Sequence, residues 1–459
     1  MKSRLAEESI LFVSILKWFV LATLTGVLVG FSTTLFLKVL QWSFGLTASY
    51  HYYFLLLPVA MIASILMVKH LAPEAEGHGT EKVIEAVHKR SGKIPAAVVP
   101  VKLVATVATL AAGGSVGKEG PCAQIGAGIA SSAADLLRMD NHDRKKLVIC
   151  GISAGFAAVF GTPIAGAIFG IEVLVVGGIF YEVLFPSFIA GITAYQISAW
   201  LGMKYFSQPI NFVPVFTESF FLKILLAGIF FGICSFLLVE ILKLGDRLAH
   251  RLRVSPWIKG LLGGLALIGL TLVFSTDYLG LGLDTVQASL QGKDVKGYAF
   301  LVKALFTSIT LAFGGSGGIV TPIFFVGSTA GSFFGHLMGL DPATFAAIGL
   351  VSLLAGSANT PIAASIMAVE LFGPQIGPYA AVACVISFLM TGHRSVYPSQ
   401  VLAMRKSESL QVSLGKEMQE ISTEFRARRG GLLVRTLIFF RSLWAAVKRR
   451  EKSDKDSDE

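Results

Sequence analysis

Between residue 10 and about residue 391 the chain is a succession of apolar runs, separated by short breaks of glycine, proline and charge. Crossing the hydrocarbon core of a bilayer takes about 20 apolar residues in a helix. The runs at roughly 10–41, 52–72, 219–242 and 257–275 are long enough. Those at 98–112, 122–137, 147–160, 323–339, 345–357 and 361–372 are shorter, about 12 to 17 residues each. Short interrupted runs predict helices that stop partway through the membrane, the device with which transporters build sites near the midplane. Segments of about ten alternating residues, the mark of a membrane barrel, are absent from the sequence. The pattern therefore predicts an all-α polytopic membrane protein, because helices satisfy their own backbone groups in lipid. The first run follows Glu7 and Glu8 without a small-residue cleavage motif and reads as a retained helix.

The chain also repeats itself. GGSVGKEGP at 113–121 and GGSGGIVTP at 314–322 both read G-G-S-x-G-x-x-x-P, and Gly126 and Gly327 keep the same offset of 201. GTPIAGAIFGIEVL at 161–174 matches NTPIAASIMAVELF at 359–372 at an offset of 198, which pairs Glu172 with Glu370. The membrane body, residues 1–403, thus divides into homologous halves at about 10–205 and 215–400. After Met404 the composition turns charged and helix-prone. Residues 404–459 are expected to be a basic cytoplasmic tail, with an interfacial helix in GLLVRTLIFFRSLWAAVKRR (431–450) and a disordered end.

Composition sharpens the class. Charged residues make up 15% of the chain and mean hydropathy is +0.69, whereas soluble proteins carry about a quarter charged residues. The net charge of +10 is clustered in HKRSGK (88–93), DRKK (143–146), KLGDRLAHRLR (243–253) and the tail. Such clusters mark the cytoplasmic side. With no aromatic-basic module beside them, they give no support for nucleic acid as a partner. Cys122, Cys150, Cys234 and Cys384 sit in or beside apolar runs without ligand-like spacing and read as small buried hydrophobes. Neither a cofactor nor a metal is expected.

Gly-rich turns that open helices present unpaired N–H groups, and the helix dipole adds partial positive charge, so they suit small anions. Three turns fit: GHG at 77–79, GKEGP at 117–121 and GGIVTP at 317–322. The competing reading is that their glycines merely permit close helix packing. Glu119 alters the balance. A carboxylate at an anion-attracting helix start would itself occupy the anion position and leave on protonation or competition, and ionisable groups at membrane depth are functional candidates. Lys118 beside it is a lower-ranked candidate for the anion site, its other reading being a snorkelling or structural cation. Glu172 and Glu370 lie in apolar helices at equivalent repeat positions, which favours a structural role, bonding backbone donors. A dinucleotide-binding enzyme, the reading from another class, lacks the strand–turn–helix context and the acidic residue about 20 positions on.

GKEGP, GGIVTP, the repeated TPIA segments and VYPS at 396–399 together resemble the CLC family of chloride channels and chloride/proton antiporters, over about residues 20–403. The resemblance implies two inverted halves of broken, tilted helices and a homodimer in the bilayer with one pore per subunit. It assigns Glu119 as the gate and proton group. It places Gly120 and its neighbours at an outer anion position. Gly318, Ile319, Val320 and Tyr397 fall at the central one, with His78 and Gly79 in the turn that commonly reads GSGIP. Here that turn is GHGTE, so His78 replaces a serine, as either an anion donor or a helix-bonded histidine. The inner proton glutamate of the antiporters falls at Val173, as in the family's channels, and Val320-Thr321 replaces Phe-Ala. The tail of about 55 residues is too short for the family's paired nucleotide-binding domains. The expectation is a transporter of small anions, chloride first, in a plasma or inner membrane, with passive conduction ahead of proton-coupled exchange. Exchange would need His78, Glu182 or a water chain as the inner proton path. Fluoride/proton exchange is the alternative within the family.

Overall fold

The computed structural model describes residues 2–47, 49–205 and 217–425. Among them the helices fall into two sets of eight. The first set is α1 (Lys2–Thr47), α2 (Leu57–Leu71), α3 (Thr80–Lys89), α4 (Val98–Ala111), α5 (Glu119–Leu136), α6 (Asn141–Phe160), α7 (Pro163–Glu172) and α8 (Tyr181–Trp200). The second is α9 (Glu218–Arg251), α10 (Pro256–Val273), α11 (Leu283–Leu290), α12 (Ala299–Ala312), α13 (Val320–Leu337), α14 (Pro342–Ala358), α15 (Pro361–Phe372) and α16 (Gly377–Met390). Each helix has its counterpart in the other set, in the same order and of similar kind.

Local chemistry sets the breaks. Asp140 caps α6 through the Asp143 N–H at 2.8 Å, and Asp341 caps α14 through the Thr344 N–H at 2.9 Å. These two helices end on left-handed residues, Gly161 (φ 73°) and Asn359 (φ 57°). Pro163 and Pro361 then start α7 and α15 at a position where a missing N–H costs nothing. Five helical segments are long and apolar enough to cross a membrane: Glu7–Thr47, Tyr53–Leu71, Tyr181–Trp200, Glu218–Arg251 and Pro256–Val273. The sequence pattern anticipated four of these. It missed α8, whose apolar face is diluted by Tyr181, Glu182, Tyr195, Gln196 and an internal Pro186.

The halves are joined by reciprocal contacts. Gly117 N donates to Gly318 O and Gly318 N to Gly117 O, both at 2.7 Å. Ser115 N donates to Thr310 Oγ1 and Ser316 N to Thr109 Oγ1, both at 3.1 Å. Each half's Gly-rich turn is therefore held by a helix of the other half. The same relation recurs at the far ends, where Glu172 accepts from Ile362 N and Ala363 N at 3.0 and 2.8 Å. Glu370 accepts from Ile164 N and Ala165 N at the same two distances. This reciprocity is the signature of a pseudo-twofold axis relating inverted halves.

The described residues past Met404 depart from the helix-prone tail that composition suggested. They form a short antiparallel strand pair and fold back on the body through backbone bonds between residues 415–419 and 398–402. Val175–Val176 (β1) pairs parallel with Val401–Leu402 (β2), and Leu410–Gln411 (β3) pairs antiparallel with Glu424–Phe425 (β4). Leu402 N donates to Lys416 O at 3.0 Å and Met418 N to Gln400 O at 2.8 Å. The proposed interfacial helix and disordered end lie outside the described residues.

Candidate anion site

Two helix starts face each other at the centre of the molecule, α5 beginning at Glu119 and α13 at Val320. The first N–H groups of a helix have no intrahelical partner and carry the positive end of its dipole. The turns leading into them approach closely. A Cβ on Gly318 would stand 2.6 Å from Gly120 N, and one on Gly120 would collide with His78 O. Gly79, at φ +81°, would collide with Gly120 O. Only glycine allows the GHG, GKEGP and GGIVTP turns to meet at one place.

Glu119 reaches across this meeting point. Its side chain is 1% exposed, and its carboxylate binds the start of the opposite half's helix. Thr321 N donates to Oε2 at 3.1 Å, and Thr321 Oγ1 donates to Oε1. Both donors belong to one residue, and the hydroxyl exists because threonine stands where the family commonly has alanine. A buried carboxylate gains most from such charge-assisted bonds. Ile319 and Val320, whose backbone amides open the same helix, are fully buried.

Tyr397 closes the other side. Its hydroxyl is buried without a hydrogen-bond partner among the described residues, and His78 Nδ1 is in the same state. Tyr397 is within electrostatic reach of Glu119 and of Glu81, with Thr80 beside it. Two buried polar atoms without partners among the described residues thus lie beside a carboxylate and two helix starts, whereas buried polar groups are ordinarily paired. Behind the turn, Lys102 is fully buried and donates to Ala75 O at 3.0 Å and Gly77 O at 2.7 Å. Its counterpart Lys303 donates to Tyr278 O at 3.1 Å and Gly280 O at 2.8 Å. These lysines hold the turns by their carbonyls.

The structure thus gathers Glu119, Gly120, His78, Gly79, Gly318, Ile319, Val320 and Tyr397. Lys118 sits partly buried just before α5. Glu172 and Glu370 are elsewhere, at the helix starts described above. Val173 is fully buried, and its carbonyl is taken by Gln400 Nε2 at 2.8 Å. Glu182 is remote too. Its side chain is 48% exposed and pairs with Lys146 at 2.9 Å. Sequence reasoning missed Glu81, Thr80 and Ser399. Glu81 follows the glycine turn as an ordinary acidic residue of a helix's first turn, which gave no signal of its own.

The model for the voltage gated chloride channel family matches residues 59–392. The chain belongs to the CLC family. A chloride/fluoride channel protein of Pseudomonas syringae pv. tomato is 37% identical over 407 residues, 87% of this chain and 89% of that protein. An H(+)/Cl(-) exchange transporter, ClcA, of Klebsiella pneumoniae is 28% identical over 76% of this chain and 80% of its own length. Among solved structures, a CLC-type fluoride/proton antiporter matches with a TM-score of 0.81 at 30% identity, covering 85% of this chain and 99% of that one. A slow cyanobacterial Cl-/H+ antiporter shares the fold, with a TM-score of 0.72 at 21% identity. The protein is an integral, multi-pass membrane protein of the CLC type that transports small anions.

Proposed function

We propose that this CLC protein exchanges a small halide, fluoride before chloride, for protons, with Glu119 as gate and proton carrier. The observation that carries the reading is the Glu119 carboxylate seated on the N–H and hydroxyl of Thr321 at the start of α13. While charged, it occupies the donors that an anion needs. Protonation removes the charge that makes those bonds strong, and the anion then takes its place. Entry of the anion is in this way tied to a proton. A carboxylate oxygen and fluoride are both small, hard acceptors, whereas chloride is larger and more diffuse. The added threonine hydroxyl suits the smaller ion. The fluoride/proton antiporter and the chloride/fluoride channel protein among the relatives agree with this choice of ion.

Passive conduction, favoured by the sequence pattern, rests on Val173, which offers no inner carboxylate and whose carbonyl accepts from Gln400. We place exchange first because a gate that carries its own proton needs no second group at position 173. The working unit is proposed to be a homodimer in the plasma membrane, with a separate pore in each subunit. Chemical cross-linking in detergent and in vesicles tests that stoichiometry.

Proteoliposomes with opposed anion and proton gradients decide between the mechanisms. An outward fluoride gradient should drive protons inward against their own gradient, with weaker driving by chloride. A reversal potential fixed at the anion's Nernst value at every pH would sink the exchange reading.

A further inference from the structure

Exchange requires that the proton on Glu119 reach the cytoplasmic side, yet the position that carries an inner carboxylate in the family's antiporters is here a buried valine. Glu81 stands next to the site with its carboxyl in no ion pair and at no helix start of the other half among the described residues.

 

Its first oxygen, Oε1, accepts from Ser399 N at 3.0 Å and from Ser399 Oγ at 2.5 Å. Its second, Oε2, is buried with no hydrogen-bond partner. Such an oxygen costs free energy as a bare acceptor and is the natural seat for a proton. The residue as a whole is partly exposed, at the first turn of α3. The far end of that helix carries Lys89, which pairs with Glu417 at 2.8 Å on the basic, cytoplasmic side. Glu81 thus sits at the start of a helix whose other end lies on that basic side.

Tyr397 supplies the inward connection. It lies within electrostatic reach of Glu81 and Glu119 together, and Thr80 stands beside its hydroxyl. Tyr397 and Ser399 belong to one short loop, so the group that holds Glu81 is two residues from the tyrosine. The charged groups facing Glu81 are Lys82 and Glu85 of its own helix, and these pair with each other at 3.1 Å. Neither neutralises Glu81 by a direct contact.

We propose that Glu81 is the inner proton carrier, passing protons between the cytoplasm and Glu119 past the hydroxyls of Thr80 and Tyr397. In the inward direction of the cycle, the O–H bond of protonated Glu119 breaks and a hydroxyl or water hands the proton on. An O–H bond forms at Glu81 Oε2, and that proton then leaves to cytoplasmic water. Every step is a proton transfer, with no other bond made or broken. The proposal rests on the exchange reading above.

The test is E81Q in proteoliposomes, with fluoride-driven proton flux and fluoride binding measured separately. Glutamine keeps the length of the side chain, and its amide oxygen still accepts both Ser399 bonds, but it carries no proton. Proton flux should fall about a hundredfold, the usual scale for loss of a positioned proton-transfer group, while fluoride binding measured by calorimetry stays near the wild-type value. E81Q with wild-type proton flux overturns the proposal, and so does joint loss of flux and fluoride binding, which would mark Glu81 as structural. If the wild-type protein moves no protons, the exchange reading falls and the carrier with it; coupled wild type with coupled E81Q sinks the carrier alone. S399A gives a second readout that does not depend on E81Q folding. Removing the hydroxyl donor weakens the hold on the charged carboxylate, so the cytoplasmic pH dependence of proton flux should move to higher pH. An unmoved profile overturns the assignment.

Discussion

Glu119 and Thr321 form a contact between two residues that no secondary-structure argument would pair, 202 positions apart in the chain. Its chemistry makes separate predictions for each partner. Glu119→Gln keeps the shape of the side chain and removes the titration, so anion flux should lose its pH dependence and proton flux should vanish. Flux measured across a range of pH in vesicles checks this, and an unaltered pH response would remove Glu119 from the gate. Thr321→Val retains the N–H and the volume but deletes the hydroxyl. A hydrogen bond to a charged group contributes about 2 kcal/mol, or roughly thirtyfold in an equilibrium. Fluoride affinity should therefore fall by about that factor, with less effect on chloride, and calorimetric titration of both ions reads the difference. Equal losses for the two ions would argue against a hydroxyl that distinguishes them.

At the level of elements, the short helices owe their ends to Glu172 and Glu370. Each carboxylate receives two N–H groups at the start of a helix in the other half. Replacing Glu172 by alanine leaves the amides of Ile362 and Ala363 unpaired, and an unsatisfied buried donor costs about 1–3 kcal/mol. Thermal unfolding of Glu172→Ala in detergent should show a loss of about 3 kcal/mol, and Glu370→Ala a similar one. Glutamine, which keeps one acceptor oxygen, should restore about half. These elements were legible in the sequence because each ends at a marker: Asp140 and Asp341 at starts, Gly161 and Asn359 at ends, Pro163 and Pro361 just beyond. Glu119 and the glycine turns were legible for a related reason, since a repeat displays what one half has and the other lacks. Glu81 was not. Its meaning comes from Ser399, 318 residues away, and from an oxygen left without a partner, both products of packing. Likewise, the return of residues 415–419 onto the body could not be read from composition, because its bonds go to the backbone of Pro398, Gln400 and Leu402 and not to a partner that its own residue types announce.

Taken as one body, the molecule is two inverted halves clasped at the centre, with a single polypeptide segment drawn back over one end. That segment is asymmetric: its turn at 415–420 bonds to the stretch that bears Tyr397 and Ser399, with Met418 N donating to Gln400 O and Gln419 N to Pro398 O. Lys89 ties the same turn to α3, whose other end begins beside His78 and Glu81. The Glu417 carboxylate next to it raises the Lys89 amine above its ordinary range. Because Lys89 is half-exposed, the pair contributes less than about 1 kcal/mol to stability. Its consequence for transport is larger than for folding, since it fixes the loop and the helix that hold the inner side of the anion site relative to each other. Glu417→Lys sets two ammonium groups against each other at that joint. Thermal unfolding should barely change, while turnover should fall by roughly threefold, the equivalent of less than about 1 kcal/mol at the site. High salt should recover part of the loss, because exposed charges are screened beyond about 10 Å at 0.1 M ionic strength. Equal turnover in wild type and Glu417→Lys at low salt would show that the returning segment is packing alone and leaves the inner mouth free.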